Sequence, residues 1–429
     1  MVSDQNSLGF YYRPDDLHYS QADLHNWLSV LKSLQIRWLV LRARIDRAIP
    51  DAFIQGLQLA GIEPIVHIPA TMHSLPLESI ESQLAGYANL GIQHTVIGDR
   101  PNLREMWKAS DWARGGLVEQ FIDRFMPVWN AQRRHGFRPF FPALEPGGDY
   151  WDTAFLQSCL NSLRRRSQEE LVKEMVLGVY AWTFGKALDW GAGGPGSWPE
   201  AKPYITPEGS QDHLGARIVD WYHEICRSTV GMPLDIFVLA GGVNPEARTE
   251  MTADQQADVH TNLAKAVLMS KYSQNLIGFC FYALTAGSDQ HLVGWYDKNL
   301  AASQSAEALE RVMLAVPEPK SVSSPIKPIA HYILLPAHSD RNVSIDWKNI
   351  EPLVMALKPA VGFSVEEARL ARQVIMIGSE ELISSDCERT LRDQGCKVRR
   401  LAAPNSDEIL LAASEYAAQH PSTTGADHV

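Results

Sequence analysis

The chain has 429 residues, 45% of them hydrophobic and 21% charged, which suits a globular protein of one large domain plus a small one and argues against disorder. Its net charge of −11 leaves no phosphate-neutralising excess, so neither general nucleic-acid binding nor attachment to anionic membranes is expected. Cys159, Cys226, Cys280, Cys387 and Cys396 are odd in number and scattered, with no C-x-x-C pair, so neither a disulfide framework nor a zinc site is indicated.

Short β-rich runs alternate with longer helical segments along the first three quarters of the chain. The runs are LGFYY (8–12), IRWLVLRA (36–43), EPIVHI (63–68), HTVIGD (94–99), RPFFPAL (138–144), MVLGVYAW (175–182), LDIFVLAGG (234–242) and LIGFCFYAL (276–284). Most are continuously apolar, as parallel strands covered on both faces are. Helical segments such as QADLHNWLSVLKSL and ADQQADVHTNLAKAVLMSKY separate them. Eight such units predict a (β/α)8 TIM barrel over residues 1–316. A doubly wound open sheet is the rival, but GFYYRPDD is not the glycine-rich turn that such sheets carry after their first strand.

Residues 317–328, within PEPKSVSSPIKP, predict a linker. A small α/β domain is expected over 329–419, with AHYILLPA, QVIMIGS and KVRRL as strands and SSDCERTLRDQG and SDEILLAASEYAAQ as helices. The polar residues 420–429 read as a disordered tail. No apolar run reaches the roughly 18–20 residues that span a bilayer, so no membrane insertion is expected. MVSDQNSLGFYY lacks the basic-then-apolar order of a signal peptide, which makes a cytoplasmic location the expectation, with export by another route left open.

Barrel chemistry sits where strands end at their carboxyl side. Those positions hold Arg13 and Asp15, Arg42, Arg44 and Asp46, His67, Asp99 and Arg100, Glu145, Trp182, Gly241 and Gly242, then Asp289 and His291. The long loop YAWTFGKALDWGAGGPGSWPEAKPY (180–204) adds Phe184, Trp190, Trp198 and Tyr204, while Tyr282, Trp295 and Tyr296 follow the eighth run. Flat rings beside a few polar groups suit the C–H faces and hydroxyls of sugars; packing of the loop onto the barrel is the plainer alternative. His67, His73 and His291 share no metal-ligand spacing, and no Walker A or G-x-S-x-G run occurs, so neither a metal nor a cofactor is expected.

VIGDRPNLREMW (96–107), together with the eightfold alternation, resembles the clan of retaining glycoside hydrolases whose catalytic glutamates end strands four and seven. The resemblance covers residues 8–316 and implies a carbohydrate ligand. It places Asp99 on the asparagine that grips the sugar 2-hydroxyl, Arg100 on the acid and Ala240 or Gly241 on the nucleophile, with Asn102 as the motif's second asparagine. Arginine cannot donate a proton at any useful pH, so the standard carboxylate pair is missing. Glu246 would need a loop that folds back over the barrel.

Two replacement pairs present themselves. Asp99 with Glu145 suits the roughly 5 Å of a retaining mechanism, and Asp99 with Asp289 the roughly 6.5–9.5 Å of an inverting one. The alternative is that Asp99 simply pairs with Arg100. The expected catalytic residues, if any, are therefore Asp99 and Glu145. Arg42, His67, Asn102, Trp182, Trp190, Tyr282, Asp289 and Trp295 are the expected saccharide contacts.

The segment 373–417 is similar to the cell-wall-binding repeats of bacterial surface proteins, departing where their GG and RY become GS and SDEIL. That similarity implies a cell-wall or protein partner for the second domain; a plain dimerisation domain is equally compatible. The leading expectation is a carbohydrate-binding barrel without the standard catalytic pair. A hydrolase of O-glycosyl bonds with relocated carboxylates, or an assembly protein reusing the barrel, are the alternatives.

Overall fold

The eight expected strands form as β1 (Leu8–Tyr11), β2 (Trp38–Arg42), β3 (Glu63–Ile68), β4 (His94–Ile97), β5 (Phe140–Phe141), β6 (Val176–Trp182), β7 (Asp235–Gly242) and β8 (Leu276–Phe281). They lie parallel in the order β4-β3-β2-β1-β8-β7-β6-β5, a nearly closed (β/α)8 barrel. The computed structural model describes residues 7–244, 251–273, 275–286, 294–315, 327, 329–336, 347–380, 382–402 and 406–419. Two units separate between residues 319 and 320. The expected linker, apart from Lys327, and the expected tail lie outside the described residues.

Alternation along each strand sorts side chains into two cores. On β2, Leu39 and Leu41 face outward into the cluster shared with the helices, while Trp38 and Val40 face the lumen with Ile65, Val96, Phe140, Phe237 and Cys280. The inward series Trp38, Val40, Arg42 thus climbs from an aromatic floor to the barrel's carboxyl-end mouth. Gly278 makes the floor possible, since a Cβ there would meet the Phe237 ring at 2.3 Å and Trp38 Nε1 at 2.9 Å. Capping boxes at Ser20 and Thr252 start the helices Gln21–Ser33 and Ala253–Leu268.

Among the described residues no ladder joins β4 to β5. The gap is bridged by Gln132 of the helix Leu117–Arg134, whose fully buried amide donates to Thr95 O (2.8 Å) on β4 and accepts from Phe140 N (3.0 Å) on β5. A side chain replaces the missing backbone partner of each strand. Nearer the mouth, Arg100 N donates to Ala143 O at 2.9 Å.

The second unit is a four-stranded parallel sheet in the order β10-β9-β11-β12, formed by β9 (Ile329–Leu334), β10 (Ala360–Gly362), β11 (Ala371–Ile377) and β12 (Lys397–Leu401). One face packs Ile333, Ile375 and Ile377 against Ile350, Leu353 and Ala413; the other packs Tyr332, Val374 and Met376 against Ala368 and Leu391. The expected strands and helices are present. The helix Trp347–Leu357 and the short β10 were not anticipated, because Pro352 reads as a breaker and three residues carry too little pattern.

Candidate functional site

The mouth of the barrel holds a cavity of about 260 Å³ lined by Tyr11, Arg42, His67, Asp99, Arg100, Glu145, Tyr180, Trp182, Phe184, Ala240, Asn244 and Tyr282. Six of the expected strand-end residues, Arg42, His67, Asp99, Glu145, Trp182 and Tyr282, therefore converge from six elements on one space. Its volume lies just below the ~300–1,000 Å³ usual for drug-sized ligands. It suits a single ring.

The charged side of the mouth is built on the turn after β4. Gly98 adopts φ +81°, where a Cβ would also come within 2.8 Å of the Phe125 ring. Arg100 follows at φ 41°, a left-handed conformation that only a well-braced non-glycine residue holds. The bracing is visible: Arg100 N donates to Ala143 O, Leu103 N to Arg100 O (3.0 Å) and Trp107 Nε1 to Pro101 O (2.7 Å). The guanidinium then lies between two carboxyl groups, with Nε 3.1 Å from Asp99 Oδ2 and Nη1 3.6 Å from Glu145 Oε2. Tyr180 donates its hydroxyl to Asp99 Oδ1 at 2.7 Å, so both oxygens of Asp99 are engaged.

Burial pushes the Glu145 carboxyl above the ordinary glutamate range, against the opposing pull of Arg100. Burial disfavours the Arg100 charge, yet Asp99, Tyr180 and Glu145 outweigh it and hold the guanidinium firmly protonated. Burial likewise lowers His67, with Asp99 working against it. His67 donates from Nε2 to Gly98 O (3.2 Å), a carbonyl that can only accept, so Nδ1 receives the Tyr11 hydroxyl at 3.0 Å. This neutral tautomer is locked from both sides.

The aromatic side lies across the barrel. Tyr180 and Trp182 stack with centroids 6.0 Å apart at 18°, Trp182 meets Tyr282 edge-on at 5.7 Å, and Tyr282 meets Tyr11 at 5.3 Å. Period-two spacing explains the pairing of Tyr180 with Trp182: both face the lumen side of β6, one turn of the pleat apart.

Several expected contacts need correction. Asn102 is fully buried, donating to Glu145 O (2.8 Å) and Tyr150 O (2.9 Å) and accepting from Glu145 N (2.9 Å), so its amide fixes the loop that carries Glu145 and has no donor left for a sugar. Trp295 is 2% exposed, wedged among Phe10, His260 and Phe281 in the outer core, and cannot stack on a ligand. Trp190 stands away from the cavity, its Nε1 donating to Asp212 (2.9 Å) and its ring beneath Lys186 Nζ at 4.5 Å. Of the long aromatic loop, Tyr180, Trp182 and Phe184 line the mouth, whereas Trp190, Trp198 and Tyr204 do not. Asp289, His291 and Glu246 lie outside the described residues.

Arg44 and Asp46 pair with each other at 2.8 Å on the exposed rim, Asp15 pairs with His18, and Arg13 is buried over the Tyr12 and Trp27 rings. Tyr11, Tyr180 and Asn244 line the mouth without having been singled out. For Tyr11 and Tyr180 the signal was available, since stepping back two residues along a strand from its mouth position identifies the next inward side chain. Among the described residues no group of three or more His, Cys, Asp or Glu is placed to hold a metal ion, and no helix is long and apolar enough to cross a membrane.

Neither a protein-family profile nor a curated protein sequence matches the chain. Solved structures of similar fold include a family 39 glycoside hydrolase from Bacteroides cellulosilyticus WH2, at 10% identity over 73% of this chain and 64% of that one, with TM-score 0.50. Others are a monomeric β-xylosidase from Caulobacter crescentus CB15 (10%, 72% and 67%, TM-score 0.48) and a GH128 subgroup II endo-β-1,3-glucanase from Pseudomonas viridiflava (12%, 71% and 96%, TM-score 0.47). The chain thus spans 64% of the length of the first. At 10% identity the likeness to the first is one of fold alone: the first unit shares its (β/α)8 TIM-barrel architecture.

Proposed function

We propose that the barrel mouth binds a saccharide and lacks the standard machinery to hydrolyse it. The observation that carries this reading is the Arg100 guanidinium set between Asp99 and Glu145. Hydrolysis needs two carboxyl groups that work on the glycosidic bond from opposite sides, with substrate or water between them. Here a permanent cation occupies that place, and the second oxygen of Asp99 is taken by Tyr180. Binding needs less: an aromatic side for the C–H face of a sugar and a polar side for its hydroxyls, both present around a cavity of about 260 Å³.

Calorimetry against a panel of oligosaccharides, run beside an assay of aryl-glycoside cleavage, tests this. Binding without cleavage is the expected result; absence of binding to every member overturns it.

One observation favours a second reading, in which Glu145 acts as an acid. Burial raises its pKa, as a leaving-group acid requires. Cleavage of any aryl glycoside that is abolished by Glu145→Gln or Asp99→Asn would establish that reading and displace the first. For the second unit, the cell-wall-repeat similarity supports a cell-wall polymer or a protein as partner. Sedimentation of the full chain with purified cell walls, compared with a chain ending at residue 319, is the corresponding test.

A further inference from the structure

Among the described residues the mouth is lined by two permanent cations, Arg42 and Arg100, and they are not equivalent. Arg100 is shared between Asp99 and Glu145. Arg42, at the end of β2, lines the same cavity, yet no carboxylate among the described residues comes within ion-pairing distance of it. Its near neighbours are the Tyr11 phenol and the neutral His67, and its charge acts on both, favouring ionisation of the first and opposing protonation of the second. Neither supplies a negative charge. Both carboxyl groups of the mouth, Asp99 and Glu145, are drawn to Arg100, which leaves Arg42 as the cation facing the cavity without a carboxylate beside it among the described residues.

A guanidinium in a partly enclosed, ring-lined space interacts more strongly with an anion than one on an open surface, and its planar fork matches a carboxylate with two parallel bonds. Sheet order sets where that anion would lie. In the order β4-β3-β2-β1-β8-β7-β6-β5, β2 stands four strands from β6 and therefore on the opposite side of the ring. A sugar stacked on Trp182 would present its far substituent to Arg42. The buried Oδ1 of Asn244 has no hydrogen-bond partner among the described residues, which adds an acceptor for a hydroxyl at the cavity wall.

We propose that the saccharide received by the mouth is acidic, a uronic acid whose carboxylate Arg42 binds. This rests on the carbohydrate reading above and goes beyond it in naming the substrate class. The test uses the full chain and short oligomers of galacturonate, glucuronate and mannuronate, each beside its own methyl ester, with neutral trisaccharides as a third arm. Titration calorimetry is expected to show at least one acid bound about tenfold more tightly than its ester, a preference that shrinks with added salt. Arg42→Gln should reduce that preference to within about twofold, and Arg42→Lys should keep part of it. Should Arg42→Gln fail to fold, the acid–ester comparison on the unaltered chain and Arg42→Lys still decide.

Esters or neutral sugars bound as tightly as the acids overturn the acidic-ligand proposal and leave the carbohydrate reading intact. No binding in any arm overturns both.

Discussion

Around β6, β7 and β8 the barrel wall is paired backbone to backbone in parallel, with register shifts at Val179/Tyr180 and along β7, whereas β4 and β5 are joined through side chains, with Gln132 standing between Thr95 O and Phe140 N. The two sides carry different mouths. The laddered side presents Tyr180, Trp182 and Tyr282, rings that stack on or meet one another edge-on. The unladdered side presents Asp99, Arg100 and Glu145, held by Asn102 and by the left-handed turn at Arg100. Where strands pair through their backbones, side chains are not needed to join the wall; where they do not, polar side chains first complete the fold. Asn102 illustrates the second case, being spent on loop carbonyls.

The sharpest way to break this contrast is to remove the bridge. Gln132→Leu keeps much of the volume but strands Thr95 O and Phe140 N in a dry interior. Two unsatisfied buried backbone groups should cost about 3–5 kcal/mol, lowering the midpoint of thermal unfolding by on the order of 10 °C. A loss below about 1 kcal/mol in urea unfolding would mean the gap closes by other means. Next in size is Asn102→Asp. The carboxylate cannot donate to Glu145 O or Tyr150 O and would sit against both carbonyls, so a loss of about 2–4 kcal/mol is expected, with ligand affinity falling as the Glu145 loop loosens. Unchanged stability would assign Asn102 back to the ligand.

Acid provides a third test, at the foot of β4. His94 packs among Trp38, Phe140 and Phe237, with Nδ1 buried and without a hydrogen-bond partner. Burial, reinforced by Arg138 and Arg37, lowers its pKa to about 4. A histidine whose folded pKa lies below its unfolded value of ~6.5 must shed its proton to fold, so its stabilising contribution is complete above ~6.5 and is lost as pH falls toward about 4. Discounted for partial exposure, the loss should be about 1–2 kcal/mol. His94→Phe should flatten stability between pH 6.5 and 4; an unaltered slope would place the acid sensitivity elsewhere.

The barrel was legible because its signals are repetitive: eight apolar runs at helix-spaced intervals leave few other folds. The convergence of Arg42, His67, Asp99, Glu145, Trp182 and Tyr282 was legible for the same reason, since strand ends in a closed barrel share one mouth. What was not legible is orientation. Nothing in PNL distinguishes an Asn102 that faces a sugar from one that ties down a neighbouring loop, and nothing in VGWYD marks Trp295 as a core ring. The role of Arg100 was half legible. Its place in the motif excluded an acid, but its position between two carboxyls depends on a left-handed turn that propensity would assign to glycine.

The smallest effect tests the laddered side. Trp182 is partly exposed at the mouth, stacked on Tyr180 and edge-on to Tyr282, so its ring is positioned before any ligand arrives. A sugar laid against it gains dispersion and C–H contact without ordering a mobile side chain. Such aromatic contacts are worth about 0.5–1.5 kcal/mol beyond burial. Trp182→Ala should therefore weaken saccharide binding by roughly two- to twelvefold. Trp190→Ala, away from the cavity, should leave affinity unchanged. Both variants should unfold cooperatively. If instead Trp190→Ala weakens binding as much as Trp182→Ala, the loop as a whole orders the site and the contrast between the aromatic side and the committed polar side fails.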